Sequence, residues 1–463
     1  MKKKLEPADW GLMIDSNGEL SLNGVSAVSL ARNFGTPLYV LNGSRLYETA
    51  SRFKNETCRA YKGKTNIHYP FKCNSVPAVL EIIKQTRLNA EVMTEFELDL
   101  AVKMGFDSSQ IIVNGPCKSD RFLASCIEND VKLVIVDSID ELNSLAQIAG
   151  EKGKSIGILL RINPDYIPKG MSTGTAMGSR KTSSFGLDLA GGEAHQAIKL
   201  LPRFPQLEFL GFQFHIGTGI RNPEDYSKTI LKLKGIISFA QGEGLKVKII
   251  DVGGGIASFT TRELLPFEML KYQMFNLFPK SRLGSRRYAF RDFAEAISKS
   301  IYKIFKDSEL PEIIFEPGRC LVSPNQFLLL KAYRIKERPG LGKWIISDGG
   351  LGTITLPTYY EYHEIFLCNK VCRKDLERVT ITGPCCFAAD LVYKNIILPR
   401  INQGEIIAIM DAGAYFNSME SSFGFPKPAI VEVKDEEAFL IRKRETFEEM
   451  TERDLTFINF MKE

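Results

Sequence analysis

Residues 247–255 read VKIIDVGGG. The stretch is a short apolar run that reaches a polar residue, Asp251, and then three glycines. An apolar run of this length, rich in β-branched residues and bounded by glycine, is typical of a strand that is buried on both faces. A glycine turn after such a strand often binds phosphate through its backbone N–H groups. The stretch therefore predicts a strand of a parallel sheet with a candidate phosphate site at its carboxyl end.

Similar runs recur on both sides of this stretch, separated by amphipathic segments with helical periodicity. The first five are spaced by about 22 or 23 residues, the length of a strand, a helix and two loops. Eight such units favour a (β/α)₈ barrel, whose active site lies at the carboxyl ends of the strands. The other seven runs are NIHYPFK (66–72), LNAEVMT (88–94), IIVN (111–114), LVIVD (133–137), IGILLR (156–161), LEFLGFQFH (207–215) and EIIFE (312–316).

The chain is too long for the barrel alone, and its C-terminal part contains further strand-like runs punctuated by glycine and proline. These are FLLLKAYRIKE (327–337), KWIISDG (343–349), RVTITG (378–383), EIIAIMDAG (405–413) and PAIVEVKD (428–435). We predict a second, mostly antiparallel β domain that is built from both ends of the chain, with LSLNG (20–24) as its first strand. The predicted parts are residues 1–41 and 326–463 for the β domain and 42–325 for the barrel.

Composition narrows the class of protein. Of the 463 residues, 44% are hydrophobic and 25% are charged, and the net charge of +5 is dispersed. This pattern argues against a nucleic-acid-binding arm and against a membrane span. The N-terminal MKKKLEPADW lacks the apolar run of a secretory signal, and nine scattered cysteines fit reduced thiols, so we expect a cytoplasmic protein. With four histidines and no second Cys/His pair to match Cys368 and Cys372, we expect no metal centre.

Eight short motifs occur in a fixed order at the predicted strand ends and in the tail. They are YPFKCNS (69–75), NGPCKS (114–119), SSFGL (183–187), HIGTG (215–219), DVGGG (251–255), EPGR (316–319), GPCC (383–386) and DAGAY (411–415). In this combination the chain resembles the group IV pyridoxal phosphate-dependent decarboxylases, which share the alanine racemase-like fold type III. Its motifs are closest to those of diaminopimelate and ornithine decarboxylases, and the resemblance covers nearly the whole chain.

The resemblance implies pyridoxal phosphate as cofactor, attached to a lysine amine. Lys72 matches the family's cofactor lysine, and His215 matches the histidine that stacks on the cofactor ring. Glu316 matches the glutamate that pairs with the ring nitrogen and keeps it protonated. Because alanine racemases place an arginine at that position, Glu316 favours decarboxylation over racemisation. Glu91 and Arg161 match polar positions around the ring.

The same resemblance implies how the cofactor phosphate is held. The implied contacts come from Gly253, Gly254, Gly255, Thr218, Gly318, Arg319 and Tyr415. The role of Arg319 stays open, because relatives use this arginine either for the phosphate or for a substrate carboxylate.

Cys386 matches the cysteine that protonates the carbanion after CO₂ has left. In relatives this residue reaches the active site of the neighbouring subunit. The resemblance therefore implies a homodimer with shared active sites.

The match weakens at the positions that choose the substrate. Diaminopimelate and ornithine decarboxylases follow the cysteine with an acidic residue, whereas this chain has Phe387. Diaminopimelate enzymes also carry an arginine before a proline, whereas Leu356 precedes Pro357 here, with Tyr360 close by. Losing charged anchors usually changes the substrate. We therefore expect an amino-acid decarboxylase for a modified, conjugated or carrier-bound substrate of a secondary pathway.

Three alternatives remain at this point. One is a diaminopimelate decarboxylase proper, which serves lysine biosynthesis. Another is a racemase on the same fold, and the third is a catalytically dead regulatory relative. Retention of Lys72, His215, Glu316, Arg319 and Cys386 argues against the last.

Overall fold

The computed structural model describes residues 5–168, 179–275, 287–306, 308–354 and 361–455. The chain forms two compact units. One comprises Met1–Leu46, Phe259–Ser285 and Val322–Glu463, and the other comprises Tyr47–Ser258 and Arg286–Leu321. The domain boundaries predicted from the sequence remain a proposal. These units differ from it mainly because residues 259–285 group with the sheet-containing unit.

The leader contributes four short strands and one helix. They are β1 (Met13–Ile14), β2 (Leu20–Leu22), β3 (Val25–Ser26), α1 (Ala27–Phe34) and β4 (Leu38–Asn42). Strands β1, β2 and β3 form a small antiparallel sheet of their own. The predicted strand LSLNG exists as β2 in the sheet-containing unit, where it follows β1 and belongs to this small sheet. The leader strand of the larger sheet is β4, whose five residues are all buried.

The barrel unit contains eight parallel barrel strands and one further short strand, β10, which pairs with β9. Its strands are β5 (Thr65–Pro70), β6 (Asn89–Val92), β7 (Ile111–Val113), β8 (Leu133–Val136), β9 (Ile156–Asn163), β10 (Leu187–Asp188), β11 (Leu207–Gln213), β12 (Ile249–Asp251) and β14 (Glu312–Phe315). Strand β13 (Arg262–Glu263) lies between β12 and β14 in the sequence but belongs to the other unit. The parallel order runs from β9 through β11, β12, β14, β5, β6 and β7 to β8, and β8 pairs again with β9. The ring is closed, which confirms the predicted (β/α)₈ barrel.

Helices connect the barrel strands. They are α2 (Gly43–Ala60), α3 (Pro77–Gln85), α4 (Glu95–Lys103), α5 (Asp120–Glu128), α6 (Ile139–Lys152), α7 (Glu193–Leu200), α8 (Pro223–Lys232), α9 (Lys234–Gly242), α11 (Phe290–Ile304) and α12 (Arg319–Val322), with α10 (Pro266–Phe275) in the other unit. Local sequence sets their ends. In α6, for example, the Ser138 side chain accepts a hydrogen bond from the N–H of Glu141, and Gly153 adopts a left-handed conformation at the C-terminus. No helix among the described residues is long and apolar enough to cross a membrane.

Apolar side chains of the strands fill the barrel. Ile112, Leu133, Ile135, Leu159, Ile249 and Ile314 form one buried cluster. Because successive residues of a strand point to opposite faces, the next residues along each strand pack under the surrounding helices. The continuous apolar runs in the sequence thus reflect burial on both faces of the strands.

The other unit is a mostly antiparallel sheet. Its remaining elements are β15 (Gln326–Arg338), β16 (Gly342–Ser347), β17 (Glu361–Tyr362), β18 (Ile365–Leu367), β19 (Leu376–Thr382), β20 (Leu391–Pro399), β21 (Ile406–Ile409), β22 (Ala429–Lys434), β23 (Glu437–Arg442) and the helix α13 (Phe447–Thr451). The main sheet has the order β20-β19-β16-β15-β4-β22-β23, and β21 pairs with both β15 and β18. The predicted β domain is therefore confirmed as a fold, and β4 supplies the strand from the leader.

Candidate active site

Lys72 lies just past the carboxyl end of the first barrel strand. Strand β5 ends at Pro70, and Lys72 lies in the short 3₁₀ turn Phe71–Cys73 that follows. Its Nζ donates to both carboxylate oxygens of Glu91, at 2.7 and 2.8 Å, and Glu91 is buried on the adjacent strand β6. Burial lowers the pKa of Lys72, but the charges of Glu91 and Glu316 outweigh it, so the pKa is raised. The amine is thus held as an ammonium beside a buried carboxylate.

Glu316 follows the eighth strand and is part of a buried acidic pair. Its Oε1 accepts a hydrogen bond from Nδ2 of Asn114 at 3.2 Å, and its side chain shares a hydrogen bond with Asp251. Two carboxyl groups can share a hydrogen bond only when one of them carries a proton. Burial and the neighbouring Glu316 raise the pKa of Asp251 well above its ordinary value, so we place the proton on Asp251. Burial, followed by the charge of Glu91, raises the pKa of Glu316 to about 7.

His215 follows the sixth strand, β11. Burial, together with the charges of Arg161 and Lys72, lowers the pKa of His215 to about 3, so its imidazole is neutral at physiological pH. Arg161 is itself fixed by an ion pair with Asp137, whose oxygen lies 3.0 Å from the guanidinium. The ring of Phe185, in the SSFGL motif, lies 4.6 Å from the same guanidinium.

Three glycines form a close-fitting turn after the seventh strand. A Cβ atom at Gly253 would lie 2.6 Å from the carbonyl oxygen of Phe214. At Gly254 it would collide with the carbonyl oxygen of Glu316, and at Gly255 with that of Gly217. The sequence DVGGG therefore interlocks with the HIGTG and EPGR segments because all three glycines lack side chains.

The carbonyl groups of this turn are all engaged with protein donors. They accept from the N–H of Glu316, the hydroxyl of Tyr226 and the N–H of Ile220, at 3.0, 2.7 and 2.8 Å respectively. Among the described residues the structure records no acceptor for the N–H of Gly254 or of Gly255. A turn with free N–H groups and no side chains is the arrangement that binds a phosphate.

Arg319 and Thr218 lie together beside this turn. Nε of Arg319 donates to Oγ1 of Thr218 at 3.2 Å, and the arginine is 5% exposed. Gly318 packs against the turn that carries Lys72, because a Cβ there would lie within 3.1 Å of Pro70 and Cys73 atoms. The predicted barrel residues are thus brought to one end of the barrel by six of its strands.

The remaining predicted residues belong to the sheet-containing unit. Cys386 and Phe387 lie in the loop between β19 and β20, and both are exposed. Tyr415 follows β21 and has a left-handed backbone, with φ of 67°. Leu356 and Tyr360 lie outside the described residues.

Sequence reasoning missed two partners of Glu316. Asn114 and Asp251 both stand in quoted motifs, at the ends of β7 and β12, but neither was assigned a role. Their positions as polar residues directly after apolar strands were the signal that could have identified them. Asp137, which forms an ion pair with Arg161, was also missed, although it too is a polar residue directly after an apolar strand.

These residues fit pyridoxal phosphate. The barrel rim offers a lysine amine for covalent attachment, a carboxyl group held at about neutral pKa for the ring nitrogen, and a glycine turn with free N–H groups for the phosphate.

Comparison with known proteins agrees with this arrangement. Residues 45–323 match the family profile "Pyridoxal-dependent decarboxylase, pyridoxal binding domain", and residues 322–413 match "Pyridoxal-dependent decarboxylase, C-terminal sheet domain". The chain is 30% identical over 451 residues to diaminopimelate decarboxylase of Methanocaldococcus jannaschii, covering 95% of each protein. It is 29% identical to that of Bacillus subtilis, covering 96% of this chain and 97% of the relative.

Solved structures give the same result. Diaminopimelate decarboxylase of M. jannaschii in complex with L-lysine superposes with a TM-score of 0.84 at 28% identity, over 96% of this chain and 97% of that one. The lysine/ornithine decarboxylase of Vibrio vulnificus shares the fold, with a TM-score of 0.69 at 19% identity, over 88% of this chain and 97% of that one. The chain belongs to the pyridoxal-dependent decarboxylases and is a pyridoxal phosphate-dependent amino-acid carboxy-lyase.

Proposed function

We propose that this chain decarboxylates meso-diaminopimelate to lysine. The observation that carries the proposal is a match to diaminopimelate decarboxylases over nearly the whole length of both chains. A solved relative with L-lysine bound supports the same product. Membership in this family argues against the racemase alternative, and retention of the predicted catalytic residues argues against a regulatory relative.

The expectation of a specialised substrate is not supported by these comparisons. It rested on the replacement of two charged anchors by the apolar residues Phe387 and Leu356. In the structure Phe387 is 49% exposed and faces another exposed ring, Phe423, at 6.1 Å.

The roles of the barrel residues are part of the proposal. Lys72 holds the cofactor, His215 stacks on its ring, and Glu316 pairs with the ring nitrogen. When bound, pyridoxal phosphate accepts the electron pair that is released as CO₂ leaves. Asp251 and Asn114 orient Glu316 for this contact. A neutral His215 places no positive charge beside a protonated ring nitrogen.

Phosphate and substrate contacts complete the barrel assignments. Phosphate would be held by the N–H groups of Gly254 and Gly255, supported by Gly253, Thr218 and Gly318. Arg319, which already contacts Thr218, can serve the phosphate or a substrate carboxylate. Glu91 and Arg161 would border the cofactor ring. Tyr415 is assigned to the phosphate by the resemblance.

Cys386 is the proposed proton donor. After the bond between Cα and the carboxylate breaks, Cα must gain a proton from a positioned acid. The thiol is exposed in this chain, so a reacting group can reach it.

We also propose that the enzyme acts as a homodimer with shared sites, as the resemblance implies. A mixture of Lys72→Ala and Cys386→Ala chains, refolded together, tests this. Half of randomly paired dimers would be mixed, and each would have one intact site, so about a quarter of wild-type activity should return. No recovery, with mixed dimers shown by mass spectrometry, would contradict sharing.

The substrate is tested by measuring CO₂ release and lysine formation from meso-diaminopimelate. Lysine, ornithine, arginine and glutamate serve as comparison substrates. Turnover of meso-diaminopimelate well above that of the others supports the proposal. Preference for another amino acid overturns it.

A further inference from the structure

Asp390 is a buried carboxylate that joins two loops of the sheet-containing unit. It lies four residues after Cys386, directly before β20, and is 3% exposed. Its Oδ2 accepts a hydrogen bond from the N–H of Cys385 at 2.8 Å. Its Oδ1 accepts another from the N–H of Leu351 at 2.6 Å. One side chain therefore binds the backbone of the loop that carries Cys386 and of the loop that follows β16.

Two glycines make room for this carboxylate. A Cβ atom at Gly350 would lie 2.8 Å from Cγ of Asp390, and one at Gly383 would lie 2.6 Å from it. The backbone of the loop also closes on itself, because Gly383 donates to the carbonyl of Asp390 and Asp390 donates to that of Phe387, at 3.1 and 3.0 Å. The GPCC and GGLG segments are thus shaped around Asp390.

Cys386 itself is exposed, so packing in a core does not fix its position. The backbone of its neighbour Cys385 is held by a charged acceptor, and hydrogen bonds to ionised acceptors are stronger than those between neutral groups. We infer that Asp390 is a positioning residue, which fixes the loop that presents the Cys386 thiol and ties it to the loop that follows β16. This inference rests on the proposed role of Cys386 as proton donor.

The test compares Asp390→Asn with a matched control, Asp15→Asn. Asp15 also accepts two backbone N–H groups, from Asn17 and Glu19 at 2.8 and 2.9 Å, in a turn of the leader. We expect Asp390→Asn to lower kcat at least about tenfold, with KM and the visible absorbance of bound pyridoxal phosphate unchanged. The solvent deuterium isotope effect on kcat should rise, because proton delivery becomes slower. Asp15→Asn should match the wild type.

A second readout needs no substrate. Burial, followed by the hydrogen bond and charge of Asp390, raises the pKa of Cys385 to about 11. Removing the charge should lower that pKa, and each unit increases the thiolate fraction about tenfold at pH 8. Alkylation of Cys385 by iodoacetamide, followed by peptide mass spectrometry, should therefore be faster in Asp390→Asn and unchanged in Asp15→Asn.

Gly383→Ala provides an independent variant, because its methyl group collides with the Asp390 carboxylate. It should lower kcat as Asp390→Ala does, and the double variant should be no worse than Asp390→Ala alone. If wild-type protein is silent on meso-diaminopimelate but Cys385 alkylation accelerates in Asp390→Asn, the proposed substrate is wrong and the loop contact stands. If kcat in Asp390→Asn equals that of Asp15→Asn on any substrate that the wild type turns over, the positioning role is overturned.

Discussion

Nζ of Lys72 lies 2.7 and 2.8 Å from the two carboxylate oxygens of Glu91. The side chain of Glu91 is 1% exposed and that of Lys72 is 33% exposed, so the buried carboxylate holds the amine at a place that a ligand can reach. Removing one partner of a buried ion pair is costly, because the other charge is left unpaired. Converting the amine of Lys72 into a covalent link with a cofactor need not carry this cost. The pair thus keeps Lys72 in position for covalent attachment.

Lys72→Ala should abolish the visible absorbance of bound pyridoxal phosphate and reduce decarboxylation by several orders of magnitude. The reason is that the variant lacks the amine that attaches the cofactor. Lys64→Ala is a suitable control, since Lys64 is an exposed lysine just before the same strand and pairs with Glu312 at 2.8 Å. Absorbance spectra of both proteins decide the matter, and a retained band in Lys72→Ala would mean that another lysine holds the cofactor.

Gly254→Ala should weaken cofactor binding at least about tenfold, or about 1.4 kcal/mol. Its methyl group collides with the carbonyl oxygen of Glu316 and must displace the turn that we assign to the phosphate. Fluorescence titration with pyridoxal phosphate measures the effect. Gly235→Ala in α9 is the control, because a Cβ there has no atom within 4 Å, and it should raise stability by up to about 1 kcal/mol. Equal cofactor affinity in the two variants would contradict the assignment.

His215 should stay neutral in the cofactor-free protein throughout the range from pH 5 to pH 8. Its pKa is lowered from 6.5 to about 3 by burial and then by the charges of Arg161 and Lys72. Below pH 6.5 the unfolded chain therefore binds a proton that the folded chain does not, so this group costs stability as the pH falls toward 3. The loss should reach about 2 kcal/mol at pH 5.

NMR titration of the imidazole resonances measures this, with His215→Gln identifying the signal. The variant should lose less stability between pH 7 and pH 5 than the wild type does. A His215 resonance that titrates near pH 6.5 would show that the ring is not enclosed in this way.

Cys386→Ala should leave cofactor absorbance intact and lower the rate of lysine formation roughly 10²- to 10⁴-fold, the usual range for loss of a general acid. The ratio of lysine formed to CO₂ released should also fall, because without a positioned donor the proton can be added away from Cα, which yields no lysine. Cys372→Ala removes another exposed thiol from the same unit and should have no effect. Unchanged turnover in Cys386→Ala would show that Cys386 is not the proton donor.

The barrel could be predicted from sequence because both faces of its strands are buried. Runs such as LVIVD (133–137) are therefore continuously apolar, and the structure places β8 at Leu133–Val136. Strand β20 escaped prediction, because its burial alternates and it is interrupted by Asn395 with φ of 52°. Strand β23 escaped as well, since it is an edge strand whose six residues are all exposed or half-buried.

Within the candidate site, the residues identified from the sequence were those whose side chains have an evident chemical role. Lys72, His215 and Glu316 fall in this group. It could not identify the contacts of Glu316 with Asn114 and Asp251, because these arise where three strands distant in sequence end together. The exposure of Phe387 in the single chain was equally beyond reach. Side-chain type can be read from a sequence, whereas hydration at a loop depends on the folded surface.

The most direct test of the central claim is a CO₂-release assay of the purified protein with pyridoxal phosphate and meso-diaminopimelate. We expect CO₂ release with lysine as the product, at a rate well above that with lysine, ornithine, arginine or glutamate. Silence on meso-diaminopimelate, with the absorbance of bound cofactor present and another amino acid decarboxylated, would contradict it.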